Sequence, residues 1–365
     1  MSRKSTTGKA SRANAAIPAS PRYCAAKFPP VRRFAAGVEA GRARLIRQTA
    51  DKWINGTTLR YWFFDKPSKW SAANAQKNVV REAFRQWKAL GIGLDFAEVK
   101  NRADADLRIA FDQSDGSWSY IGTDVRTKRS DPRTMNFGWD LTEDPKEGMD
   151  TAIHEIGHTL GFPHEHQNPF AGIVWNEKVV YASLAAPPNQ WSKSTTFHNI
   201  IEKIVPDTVQ GSDWDANSVM HYPFEAGLID KPIQYRKGIT PAGGLSARDR
   251  KWALQFYPPI KAKGTPRLAP LQSTALTLAA GQQANFLFKA DASRVYEFRT
   301  FGSADTVMAL YENKTGSSAP IAEDDDSGTE RNAHIKTALK SGKEYILRVR
   351  LHFAKASGKT AVMAW

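Results

Sequence analysis

Apolar and polar positions change their spacing several times along the chain, and each change marks an element. Trp53–Phe63 joins a turn signal at Asn55-Gly56 to the β-rich run Leu59-Arg60-Tyr61-Trp62-Phe63, which predicts a strand opening a folded domain. Ala72–Leu90 carries Val79, Val80, Ala83, Phe84 and Trp87 at helical spacing, and Gly91 stops it. Leu94–Val99, Leu107–Phe111 and Thr134–Gly138 read as short strands, and Met149–Leu160 as a helix. Glu177–Leu184 and Thr196–Ile204 are helical pieces between loops. A last helix opens with Ser246 as its N-cap and ends at Tyr257-Pro258-Pro259.

The flanks differ in character. Pro258–Pro270 is rich in proline with a glycine and several basic residues, and reads as a semi-rigid linker. Beyond it, Phe286-Leu287-Phe288, Val295–Phe298, Val307–Tyr311 and Tyr345–Val349 are short strands between turns, a spacing that predicts an all-β sandwich of roughly 95 residues. Residues 1–50 are rich in Ala, Arg, Ser and Pro without sustained periodicity. They read as a basic, largely disordered arm or pro-segment with a short helix over Val38–Gln48. The chain thus divides into 1–50, a domain at 51–258, a linker at 259–270 and a sandwich domain at 271–365.

Composition sharpens this picture in three places. The 365 residues suffice for two cores, and no run of about 18 apolar residues exists to span a membrane. Of the net charge of +14, a full +10 lies in residues 1–50, where eleven Lys/Arg face the single acid Glu39. A basic arm is not a folded nucleic-acid surface, so no nucleic-acid partner is expected. The lone cysteine, Cys24, excludes an intramolecular disulfide, and stability must come from packing and bound metal. No apolar stretch follows the basic start, so no secretory signal peptide is recognisable.

The chemistry concentrates in His154-Glu155-Ile156-Gly157-His158-Thr159-Leu160-Gly161-Phe162-Pro163-His164. Residues four apart share a helix face, so His154 and His158 present two imidazoles to one metal ion. Glu155 stands beside the first ligand, where its carboxylate reaches the attacking water without being a ligand itself. Gly161 lets the helix stop in the left-handed conformation, Pro163 prevents its resumption, and His164 swings back as a third ligand. Three neutral imidazoles with one open position are the coordination of a catalytic Zn2+ rather than a closed structural one.

Downstream, Ser218-Val219-Met220-His221-Tyr222-Pro223 follows a turn-rich stretch. Together with the histidine helix, it resembles the Met-turn of the metzincin metalloproteases in the form shared by the astacin family. The resemblance runs from about Trp53 to Tyr257. It implies an α+β zinc-protease domain, a twisted mixed sheet above an active-site helix, followed here by the all-β sandwich. It implies that Met220 packs as an apolar floor beneath the ligands and that Tyr222 is a movable fifth ligand and catalytic residue. It makes Ser117–Gly122 the edge strand against which an extended substrate pairs. It also gives Glu165 a role in binding a new amino terminus after pro-segment removal. The residues leave a solvated carboxylate equally open for Glu165. His166 is read as lying behind the ligands, since a fourth imidazole would close the site.

The expected activity is therefore a zinc endopeptidase acting on proteins or peptides as a monomer, secreted as the resemblance implies. The alternatives are a non-catalytic binding protein and a zinc hydrolase of peptidoglycan or another amide. Cys24 is either an ordinary free thiol or a latency switch that occupies the open metal position until the arm is removed. Residues 271–365 resemble the bacterial pre-peptidase C-terminal domain. Their acidic run Ala322–Gly328 is either a solvated turn or a Ca2+ site.

Overall fold

The structure, a computed structural model, describes residues 21–27, 53, 56–126, 132–204, 214–257, 259, 265–314, 320–353 and 356–365. The helix expected at Val38–Gln48 and residues 260–264 of the linker lie outside these residues. The first domain opens with β1 (Thr58–Phe63), α1 (Asn74–Ala89), β2 (Asp95–Glu98), β3 (Leu107–Ala110), β4 (Trp118–Ser119), β5 (Met135–Asn136) and α2 (Pro145–Thr159). The five strands form one sheet in the order β2-β1-β3-β5-β4, parallel except for β4, which is antiparallel to β5 at the edge. Alternation along β1 sends Leu59, Tyr61 and Phe63 inward, where α1 meets them with Val80, Ala83, Phe84 and Trp87. This core holds α2 under the sheet, and the sheet edge stands above the histidines.

Below the cleft lie β6 (Val174–Trp175), α3 (Glu177–Ala185), α4 (Lys193–Thr196), a π-helical turn at Phe197–Ile201, and β7 (Ile229–Lys231). The helical piece expected at Thr196–Ile204 thus begins and ends three residues early. Ser192 explains the start, because its side chain accepts from Thr195 N and caps the turn. The last helix of the domain, α5 (Ala247–Phe256), has Ser246 as N-cap in a full capping box with Asp249.

The sandwich comprises β8 (Thr274–Leu278), β9 (Gln283–Lys289), β10 (Arg294–Phe301), β11 (Thr306–Glu312), β12 (Ala322–Asp324), β13 (His334–Leu339), β14 (Glu344–Leu351) and β15 (Gly358–Ala364). Two four-stranded sheets, β13-β10-β15-β8 and β12-β11-β14-β9, enclose a shared core with Phe286, Phe288, Tyr296, Phe298, Leu347 and Val349. Pairing with this unit begins at Arg267, which bridges to Leu287, and Leu268 is already part of its core. The sandwich also touches the first domain. Arg348 Nη2 donates to Gly56 O at 2.8 Å and its Nη1 to Thr57 Oγ1 at 3.2 Å, while the guanidinium stacks over Tyr311.

The acidic run begins as strand β12 and ends in a turn. Asp324 Oδ2 accepts from Ser327 N and His334 N, tying the turn to the strand that follows. Among the described residues, no group of His, Cys, Asp or Glu in the sandwich converges as metal ligands do, so the calcium expectation is not supported.

Candidate metal centre

The helix that carries the first two histidines starts four residues before its expected boundary. Asp144 is the reason: its side chain accepts from Lys146 N and Glu147 N, and Pro145 occupies the first helical position. At the other end the helix stops where the glycine requires it to. Gly161 adopts φ 93°, its N–H donates to His158 O, and Phe162 N donates to Gly157 O. That pair of bonds is a Schellman closure, and it reverses the chain so that His164 returns over the helix. The terminal carbonyls are also satisfied from outside, Thr159 O by Trp53 Nε1 and Leu160 O by Tyr257 Oη.

Each helix imidazole is oriented by a carbonyl. His154 Nδ1 donates to Val219 O at 2.7 Å, and His158 Nδ1 donates to Phe162 O at 2.8 Å. A carbonyl can only accept, so both rings carry the proton on Nδ1 and turn a bare Nε2 lone pair into the cleft. His154 Nε2 is buried with no hydrogen-bond partner, and His158 Nε2 lies 3.0 Å from His164 Nε2. Burial holds all three rings neutral, lowering His154 to about 4 and His158 and His164 well below the usual imidazole range. Neutral imidazoles with converging lone pairs can hold a metal ion. With Cys24 Sγ they form a set of four ligand atoms all within 4.8 Å of one another, and these N and S donors suit zinc.

Around this set stand the other expected residues. Glu155 is buried beside the ligands, and burial pushes its carboxyl up to about 8, an effect reduced by a hydrogen bond from Cys24 Sγ at 3.6 Å. Tyr222 Oη reaches both His164 Nε2 at 2.6 Å and the Cys24 carbonyl, to which it donates. Met220 is buried in the domain core, and a Cβ at Gly157 would overlap its sulfur, so the methionine lies directly under the helix between the two ligands. A cavity of about 440 Å³ opens beside the site, bordered by Trp139, Asp150, Thr151, Glu155 and Tyr222.

His166 is not among the converging donors. Its Nε2 donates to Asn199 O, and the ring stacks on His164 at 5.2 Å between centroids. Glu165 is half-buried, with its carboxyl raised to about 7 by desolvation, and it accepts from Asp215 N and Asn168 Nδ2. Its own N–H donates to Met220 O, so it links the third ligand's loop to the Met-turn.

Two features escape a reading of the sequence alone. Within the arm, whose composition predicts a largely disordered segment, residues 21–27 lie in the cleft with Tyr23, Cys24 and Ala26 buried. The second is Asp249, whose carboxylate accepts from Ser218 Oγ, Val219 N and Ser246 N and so pins the Met-turn to the start of α5. The capping box at Ser246 was the available signal for its orientation. Asp249→Ala is expected to cost about 2–3 kcal/mol, because it strips a half-buried ionisable acceptor from several donors at once. A denaturant midpoint unchanged from wild type would show that the Met-turn holds itself.

Comparison with known proteins bears on the same elements. The profile of the astacin peptidase family matches residues 45–233, just over half of the chain. The chain belongs to the astacin family. It is similar to the solved structure of myroilysin, with 31% identity and a TM-score of 0.51 over 57% of this chain and 96% of that one. Among curated proteins, nematocyst expressed protein 6 of Nematostella vectensis is 28% identical over 129 residues, 34% of this chain and 42% of that protein. Bone morphogenetic protein 1 of Xenopus laevis is 27% identical over 198 residues, 51% of this chain and 25% of that protein. The chain thus spans less than half the length of these two curated relatives. No described helix is long and apolar enough to cross a membrane.

Proposed function

We propose that this astacin-family chain is a zinc-dependent endopeptidase that hydrolyses proteins and is made latent by its own arm. The observation that carries the reading is the convergence of His154, His158 and His164 in a cleft that also holds Glu155. His154, His158 and His164 would hold zinc, which would supply a Lewis acid for the scissile carbonyl and the attacking water. Glu155 takes the water's proton as the C–O bond forms and delivers it to the leaving amine, a task suited to a carboxylate beside the histidines that is not itself one of the converging donors. Tyr222, released from the arm, donates its hydroxyl proton in a hydrogen bond to the oxyanion of the tetrahedral intermediate. The edge strand β4 offers its open side to an extended peptide. Glu165 is the partner for a new amino terminus once the arm is cut, as the family resemblance implies.

Cys24 blocks both working groups at once. Its sulfur stands with the three histidine nitrogens and hydrogen-bonds Glu155, and its carbonyl engages Tyr222. Burial keeps the thiol protonated, but a thiol that coordinates a dication gives its proton up. Full-length Cys24→Ala is expected to cleave casein roughly tenfold faster than full-length wild type, the equivalent of about 1.4 kcal/mol of arm affinity. Equal rates would leave Cys24 an ordinary buried thiol.

A further inference from the structure

The arm lies in the cleft as a peptide does, and its contacts separate into those that ignore sequence and those that read it. Backbone contacts come first. Ala25 N donates to Ser117 O at 3.0 Å, at the start of the edge strand. From the lower rim, Asn189 clamps the backbone on both sides of Arg22 with the two ends of its amide: its Oδ1 accepts from Tyr23 N at 3.0 Å and its Nδ2 donates to Pro21 O at 2.9 Å. Any residue other than proline can make these bonds, so they hold a chain without choosing it.

Two side chains do the choosing. Tyr23 is inserted among Tyr222, Phe224 and Trp191, stacked on Tyr222 at 4.9 Å and tilted against the other two rings at 5.8 and 6.2 Å. It is buried within the core of the lower half of the cleft. Four residues on, Lys27 sits 3.6 Å above the Trp118 ring centroid and 3.2 Å from Asp115 Oδ2. Asp115 is fixed for this contact by Trp118 Nε1 at 3.1 Å and Arg133 Nη2 at 2.9 Å, so its carboxylate and the indole face form one rigid cation seat. An extended chain covers the interval between the two side chains in roughly 13 Å.

We infer that these are the substrate-selecting subsites of the cleft, so that preferred substrates carry an aromatic and a basic side chain four positions apart, flanking the reactive centre. The inference rests on the endopeptidase reading and adds the substrate class to it. The arm covers the same groups that chemistry needs, Glu155 and Tyr222, and the pockets it fills on either side are those a substrate inherits when the arm leaves.

The test uses the full-length chain carrying Tyr23→Ala, Cys24→Ala and Lys27→Ala, whose arm has lost its anchors. Quenched fluorescent peptides present Tyr and Lys four positions apart, in both orders, with each residue also replaced singly and together by Ala. In one of the two orders, the paired peptide is expected to exceed each singly replaced peptide at least tenfold in kcat/KM. Adding Asp115→Asn to the chain should bring the Lys and Ala peptides together, and Trp191→Ala should do the same for Tyr and Ala. Fluorescence anisotropy of the same peptides on the chain that also carries Glu155→Gln reads binding without turnover. Binding that depends on both side chains, with no peptide cleaved by the Glu155 chain, would sustain the subsites and overturn the endopeptidase reading. Cleavage or binding indifferent to both side chains would overturn the subsites.

Discussion

Glu155→Gln is expected to leave zinc in place and remove nearly all turnover. Glutamine keeps the size and the polar contacts of the side chain but has no site that accepts a proton at neutral pH. The carboxylate is not one of the converging donors, so metal content should stay near one per chain by elemental analysis. General base catalysis of this kind contributes roughly 10²- to 10⁴-fold, and the casein rate should fall by at least that range's lower bound. Burial raises the Glu155 carboxyl to about 8 in the metal-free, arm-closed site, and a dication beside it would draw the group back toward the carboxylate that accepts the proton. A variant within tenfold of wild type would remove Glu155 from the reaction.

His158→Ala should fail in the opposite way, by losing the metal. His158 lies at the centre of the site, held by Phe162 O on one nitrogen and facing His164 with the other. Two imidazoles without the third make a poor zinc site, so content should drop close to zero and activity with it. Stability offers a second readout. A ligand that binds only the folded chain stabilises it by about 2.7 kcal/mol at one hundred times its Kd, so a chelator should lower the melting temperature of wild type. The same chelator should leave the His158→Ala melting temperature unmoved. Stoichiometric zinc in that variant would place the metal elsewhere.

The parts of this molecule that can be read from sequence are those in which local geometry does the work. His154, His158, Gly161 and His164 lie within eleven residues, and helix period plus one left-handed glycine is enough to bring them together. Strands β1 and β14 are visible because apolar residues dominate them. Strands β8, β12, β13 and β15 do not stand out: Thr274–Leu278, Ala322–Asp324, His334–Leu339 and Gly358–Ala364 mix small, polar and charged residues, which weakens the alternation. Helix α2 begins earlier than its apolar spacing suggests because an Asp-Pro cap precedes a polar first turn.

What the sequence hides depends on residues far apart in the chain. Asp249 reaches the Met-turn 30 residues away, and Asn189 reaches the arm across 166. Arg348 is a buried cation on a strand, explained only by Tyr311 and the Gly56–Thr57 turn of the other domain. Composition gives no sign that residues 21–27 pack, because the apolar surface that buries Tyr23, Cys24 and Ala26 is supplied by the cleft and not by the arm.

The central claim is that this chain cuts proteins with zinc held by His154, His158 and His164. Its most direct test is casein cleavage by the protein freed of residues 1–50, measured as purified, after chelation, and after zinc is returned. The account predicts cleavage that disappears with the chelator and recovers on adding one equivalent of zinc. Undiminished cleavage after the metal has been stripped, or stoichiometric zinc with no cleavage in any state, would contradict it.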